Sequence, residues 1–336
     1  MINRPTIRDV AARAGVSRQT VSRVINQDSR VATATRVQVE TVIAEMGYRP
    51  NSIARSMARG RANTLACLAP NLTDYTFASI IEGAEAEARQ HGYFLLSSSA
   101  PDPDAFAALI EDVIAHRRAD GLLVINPYVD GRHEHLPEDA PVVLVGAHAR
   151  DDGLTSISLD DGHAAQTAME HLLSLGHQNI AMIQGPLAED CVQDRTAGYH
   201  ASLARAGLTP NPDLIVAGDW SATSGDAAAR ELLRRGAPFT ALFAQNDRMA
   251  VGAIRALREA GYRVPEDISV VGVDDIPLAS YFDPPLTTLR QDMAAIGRLA
   301  AQSLITAIEM PEDTPQHFSL TAELVVRGST ALNTHR

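Results

Sequence analysis

Four side chains within six residues, Arg18, Gln19, Ser22 and Arg23, have the chemistry that reads base edges. A guanidinium forks onto guanine, and a carboxamide pairs with adenine in the major groove. A second set is scattered over the rest of the chain. Asn126, Arg195, Asn246 and Asp274 offer amides, a guanidinium and a carboxylate, and the loop "VAGDWSATSGD" holds the sole tryptophan, Trp220. Amide and carboxylate groups suit paired hydroxyls, and an indole face covers the C–H side of a pyranose. The ligand these residues imply is polyhydroxylated and mostly neutral, which means a sugar.

Other groupings carry less chemistry. Asp151–Asp152, Asp160–Asp161 and Asp274–Asp275 pair carboxylates of the kind used in hydrolysis, but neighbours in a strand point to opposite faces. His133 and His135 in "GRHEHLPED" lack further ligands at zinc spacing and read as a solvated loop. There is no G-x-G-x-x-G, P-loop or G-x-S-x-G motif. We expect no catalytic residues, no metal and no cofactor.

The base-reading residues need a helix presented outward. "PTIRDVAARAGVSRQTVSRVIN" predicts two short helices about a tight turn. Thr6 and Asp9 suit a capping box, and Gly15 suits the left-handed end of the first helix. Ser17 caps the second helix, which buries Val21, Val24 and Ile25. A third helix over 33–46 carries Val37, Val39, Val42, Ile43 and Met46. Two helices joined by a turn of about three residues with Gly are a helix-turn-helix. The following "YRPNSIARSMARGRANT" offers a run of about eight residues, too short and basic to be a stable helix alone. A linker that folds on contact with DNA fits it.

Charge supports this division. Residues 1–61 hold eleven Arg against four acidic residues, a balance of +7, which leaves −19 on the other 275. A basic head on an acidic body suits a polyanion-binding module joined to a domain that avoids one. All 29 cationic side chains are Arg. No apolar run approaches the roughly 18 residues of a membrane span. Cys67 and Cys191 are too far apart for a disulfide framework, which fits a reducing compartment, so a cytoplasmic location is expected.

The head resembles the lactose-repressor/galactose-repressor (LacI/GalR) family of bacterial transcription regulators. Its pattern T-x-x-D-V-A-x-x-A-G-V-S-x-x-T-V-S-R-V-[IL]-N is matched without exception from Thr6 to Asn26. The resemblance puts Thr6, Ser17, Arg18, Gln19, Thr20, Ser22, Arg23 and Asn26 at DNA-binding positions, with Arg18, Gln19 and Arg23 reading bases. Pro50, Asn51 and Ala54 match a hinge helix that pairs with its dimer mate in the minor groove. Met57 replaces a leucine wedge inserted at the central base step. Ala32 stands where a capping Ser is common.

From Leu65 onward, short apolar runs alternate with amphipathic helices. The apparent strands are "TLACLAP", "YFLLSSS", "GLLVINP", "PVVLVG", "SISL", "NIAMIQG", "LIVAG", "ALFAQN" and "ISVVGVDD". Helices fit near 77–91, 103–117, 162–175 and 247–260. Such alternation means parallel sheets covered on both faces, and nine units suggest two doubly wound α/β lobes. Ligands in these folds sit beyond the carboxyl ends of the strands. That directs attention to Asn71, Asp74, Phe77, Asn126, Gly146, Gly185, Asn246, Asp247, Asp274 and Asp275.

"HRRADGLLV", "LSLGHQNIAMIQGP" and "PFTALFAQNDRMAVGAIRALREAGYRVPEDISVVGVDD" are similar to signature segments of the same family. The resemblance implies a periplasmic-binding-protein-like body, two lobes joined by crossover strands. Residues 1–48 would be the DNA-binding domain, 49–61 the hinge, and 62–336 the effector-binding and dimerisation domain. Its N-lobe would span about 62–161 plus 292–322, and its C-lobe about 162–291 plus 323–336. Arg195, Asn246, Asp274 and Gln291 match effector-holding positions, and "GDWSATSG" is similar to an inducer-stacking loop of lactose-responsive members. With Phe77, Asn126, Gly146 and Trp220 they make up the expected effector site. Gly146 replaces an acidic sugar contact, and "GPLAEDCVQDR" departs from the Ser-rich loop usual there.

The function these features imply is a homodimeric repressor of sugar-utilisation genes, released from a pseudo-palindromic operator by a small sugar, a galactoside or other disaccharide among the candidates. A purine- or nucleoside-responsive or corepressor-dependent member of the family is an alternative. A transport-type sugar-binding protein would need a signal peptide and no basic head. An enzyme would need a nucleophile, metal or cofactor motif. No leucine-heptad tail is seen, so a dimer is expected rather than a tetramer.

Overall fold

The computed structural model describes residues 5–49, 61–150, 153–311 and 314–334. The chain divides into two compact units, Met1–Ala62 and Asn63–Arg336. The hinge residues Pro50, Asn51, Ala54 and Met57 lie outside the described residues.

In the first unit, Asp9 accepts from both the Thr6 backbone N–H and its hydroxyl at 2.8 Å, closing the capping box of α1 (Ile7–Arg13). Gly15 takes a left-handed φ of 65°. Ser17 caps α2 (Arg18–Ile25) by accepting the Thr20 N–H at 3.0 Å. The third helix, α3 (Thr33–Met46), starts from Ala32 with no side-chain cap. Val10, Ala11, Ala14, Val21, Val24, Val39 and Val42 make the core. Val37, one of the apolar positions of the third helix, is 57% exposed. Two residues before Val39, it projects from nearly the opposite side of the helix.

The second unit has two sheets. The first is parallel, in the order β11 (His317–Leu320), β5 (Thr155–Leu159), β4 (Val142–Val145), β3 (Gly121–Ile125), β1 (Thr64–Ala69), β2 (Phe94–Ser99). The other runs β12 (Glu323–Val325), β10 (Thr287–Arg290), β9 (Ser269–Asp274), β8 (Ala241–Ala244), β6 (Ile180–Gln184), β7 (Ile215–Ala217), with only the β10–β12 pair antiparallel. All nine apolar runs singled out in the sequence are strands. The three others, β10 to β12, are only three or four residues long, and β11 and β12 are mostly exposed or half-buried. They give no apolar run to recognise.

Helices cover both faces of each sheet, as parallel strands require. On the first sheet, α4 (Tyr75–Gln90) and α10 (Met293–Glu309) bury one face, and α5 (Pro103–Ala115) buries the other. On the second, α6 (Asp161–Ser174) and α7 (Asp190–Arg205) oppose α8 (Ala222–Arg235) and α9 (Asp247–Glu259). The chain passes between the sheets three times, from β5 to α6, β10 to α10, and β11 to β12. Asp161 and Gln291 stand at the first two passages.

The "GRHEHLPED" loop is not simply solvated. Arg132 is 1% exposed and pairs with Asp130, and the His133 ring packs on Tyr128 at 4.6 Å between centroids. Arg132 has drawn the loop inward, because a buried guanidinium must keep its carboxylate and carbonyl partners. Only His135 of the two histidines is exposed.

Candidate nucleic-acid interface and ligand cavity

On the head, α2 buries Val21 and Val24 and turns Arg18 and Gln19 outward, both exposed. Neither has an ion pair or hydrogen bond to another described residue, so both are available to a partner. Arg23 is half-exposed and 4.0 Å from Asp28. Hydrogen bonds from the Arg30 side chain and backbone hold the Asp28 carboxyl well below the usual carboxylate range. Ser17 and Thr20 share a cap, with their hydroxyls 2.9 Å apart, and Asn26 reaches back toward Ser22 at 3.5 Å. Thr6, in its capping box, is exposed beside the start of α1. A rigid helix thus carries two free polar side chains and one restrained cation, as major-groove readout demands.

In the body, a cavity of about 120 Å³ lies between the two sheets. One buried water needs roughly 10–15 Å³ in this measure, so there is room for about ten. Strand ends bring Asn126 (after β3), Gly146 (after β4), Asn246 (after β8), Asp274 (in β9) and Gln291 (after β10) to its wall. Phe77 of α4, Arg195 of α7 and Trp220 complete the eight residues singled out in the sequence. Met293 and Ile296 of α10 add apolar surface.

The backbone is strained here. Asn126, Trp220 and Asp274 have φ of 51°, 71° and 119°, conformations that cost of order 1–3 kcal/mol for non-glycine residues. Each is over-determined by its contacts. Asn126 donates to Glu189 at 3.1 Å, and the indole Nε1–H of Trp220 donates to the other Glu189 oxygen at 2.7 Å. The Trp220 carbonyl accepts from Asn246 at 3.1 Å, while Asn246 Oδ1 caps α9 through the Met249 N–H. Gln291 donates to Asp274 at 3.3 Å. A Cβ on Gly146 would sit 2.5 Å from the Asn126 amide oxygen, so any larger residue there would displace Asn126.

Arg195, 5% exposed, is held by Asp161 at 2.7 Å and donates to the Gln245 carbonyl at 2.5 Å. Its guanidinium lies 5.9 Å from the Trp220 ring. Burial raises the Asp161 carboxyl above its ordinary value despite Arg195. Burial also raises Glu189, and raises Asp274 strongly, where the nearby Asp247 charge adds to it. Such acceptor-rich surroundings suit a ligand that brings hydroxyl donors.

Several strand-end residues do not reach the cavity. Asn71 closes its own turn by accepting from Thr73 and Asp74. Asp247 is fully buried against Thr288 and the Ile276 N–H. Asp275 points away from Asp274 and takes Arg290 and Arg327. Sequence reasoning missed Glu189 and the Asp161–Arg195 pair. The only hint was the acidic character of "GPLAEDCVQDR". Among the described residues no group of three or more His, Cys, Asp and Glu could hold a metal, and no helix is long and apolar enough to cross a membrane.

Residues 6–51 match the family profile described as bacterial regulatory proteins, lacI family, and residues 169–330 one described as periplasmic binding protein-like domain. The chain is 33% identical over 327 residues to the HTH-type transcriptional repressor CytR of Escherichia coli (strain K12), covering 97% of this chain and 96% of that one. It is 35% identical to the ribose operon repressor of the same organism, with 96% and 99% covered. Among solved structures, the lac repressor dimer bound to operator and the anti-inducer ONPF superposes with a TM-score of 0.88 at 32% identity, covering 97% and 99%. The CelR–cellobiose complex gives 0.76 at 33%, covering 97% and 100%.

Proposed function

The chain belongs to the LacI family of bacterial regulatory proteins, and from that premise we propose that it is a dimeric repressor released from its operator by a small sugar bound in the cavity. The observation that carries the reading is the meeting of eight residues from separate elements around one cavity, with Trp220 as an aromatic wall and amides and carboxyls opposite it. Relatives bearing cellobiose and ribose support the ligand class. Arg18, Gln19 and Arg23 read bases. The ligand is a signal and not a substrate, so the protein needs no cofactor, and it works in the cytoplasm.

A second copy of the chain suits the edge strand β2, where Phe94 is 78% exposed and Leu96 39%. An open apolar edge is a pairing surface that a monomer would have to blunt. Sugar favours one arrangement of the lobes, that arrangement sets the separation of the paired hinges, and the operator is released. By linkage, operator binding weakens sugar affinity by the same factor. Operator titrations with and without each sugar that binds the protein test this. Unchanged operator affinity with every binding sugar would sink it.

A further inference from the structure

We infer that the cavity takes a sugar without an anionic group and that Glu189 is the residue that enforces this. The inference rests on the sugar reading above and narrows its ligand class.

Among the described residues the wall offers no free cation to an anionic ligand. Arg195 is the one cation among the described residues lining the cavity, and it is committed to Asp161 and the Gln245 carbonyl. Asp74, also in the wall, is paired with Arg248 at 2.8 Å. Glu189 and Asp274 remain, and neither has an ion pair with any described residue. Both Glu189 oxygens accept hydrogen bonds, from Trp220 and Asn126, so the carboxylate is fixed at the cavity wall beside the aromatic surface. A phosphate or carboxylate on the ligand would face the oxygens of Glu189, already fixed by two donors, with no uncommitted guanidinium among the described lining residues to offset the charge it brings.

The position of Glu189 strengthens the point. It is the N-cap residue of α7, a helix of 16 residues, and Asp190 follows it. The start of a helix is where an anionic ligand would otherwise be favoured. Here the chain's own carboxylates occupy that place. Hydroxyls or a protonated amine on the ligand would instead find acceptors in Glu189, Asp274 and the Gln291 and Asn126 amides. Asn126 lies on the first-sheet lobe and Glu189 on the second, so the same carboxylate also bridges the cleft.

The test is equilibrium binding to the full-length protein, read by Trp220 fluorescence and by calorimetry. Matched probes are ribose against ribose 5-phosphate, galactose against galacturonate, and glucose and glucosamine against glucose 6-phosphate. For any set that binds, the uncharged or amine-bearing member should bind at least about 100-fold tighter than its anionic partner, the scale of one unit charge at close range. Glu189→Gln should narrow that gap roughly tenfold, and Glu189→Asp should keep it. An anionic probe that binds as tightly as its neutral partner overturns the inference and leaves the sugar reading standing. So does a gap unchanged in Glu189→Gln. If that variant fails to fold by thermal melting, Glu189→Ala replaces it, and the wild-type comparison decides by itself. No binding by any probe removes the sugar reading, and this inference with it.

Discussion

The indole of Trp220 lies directly against Gly185: a Cβ on residue 185 would sit 2.3 Å from Trp220 Cζ2 and 2.4 Å from Cη2. The position of the indole therefore depends on a missing side chain 35 residues earlier in the chain. Gly185→Ala should push the indole off its seat, weaken sugar binding at least tenfold and shift Trp220 emission. Trp220→Ala should cost roughly 2–4 kcal/mol of sugar affinity, the scale of an aromatic anchor, and leave operator affinity without sugar unaltered. Calorimetry and gel-shift titration check both. Undiminished sugar affinity in Trp220→Ala would remove the platform role.

Among Arg18, Gln19 and Arg23, only Arg23 has an ion pair with another described residue, Asp28 at 4.0 Å. Arg23→Ala should weaken operator binding by about 1–3 kcal/mol and relax the preference at one base position. Binding to an array of single-base operator variants measures this. Equal weakening on every sequence, with a reduced salt slope, would make Arg23 a phosphate contact instead.

Two helices of the first lobe touch backbone to backbone. A Cβ on Gly297 would lie 1.9 Å from the Ile80 carbonyl oxygen, and one on Gly83 2.1 Å from that of Ala294. Since neither backbone can yield without moving a helix, Gly297→Ala should destabilise the body by about 1–3 kcal/mol, the usual cost of overpacking. Thermal melting of the variant is the measurement. An unchanged melting temperature would mean that α4 and α10 slide freely.

Asp247 supplies a pH signature. Its carboxyl, fully buried, is pushed up to about 7 from an ordinary 3.8, chiefly by burial. Between those values the folded protein holds a proton that the unfolded chain has released. Stability from this group is therefore complete below about pH 4 and lost as pH rises toward 7. Asp247→Asn abolishes the dependence, so wild-type stability measured relative to the variant should fall by roughly 2–4 kcal/mol across that window. Urea unfolding followed at Trp220 would reveal it. Parallel curves for the two proteins would contradict a buried neutral Asp247.

Much of this was readable in the residues. Periodicity reports local burial, so nine strands and the helices of the head were marked by their own apolar spacing. Capping is a contact between residues three apart, which is why Thr6–Asp9 and Ser17–Thr20 needed no tertiary knowledge. The cavity residues were visible as polar side chains at strand ends, where the α/β architecture opens its cleft. The inward turn of Arg132 and the exposure of Val37 were not visible, because an apolar or charged residue does not state which neighbour it will meet.

By itself the sequence determined a basic helix-turn-helix head, an acidic two-lobed body and the polar groups at its strand ends. Only the tertiary structure decided how those groups are spent. Arg195 is taken by Asp161, Trp220 is seated on Gly185 and tied to Glu189, and Asp274 and Asp275 are turned to different partners. These pairings join residues from 15 to 52 positions apart. They follow from how two sheets are brought face to face, and no local pattern encodes that.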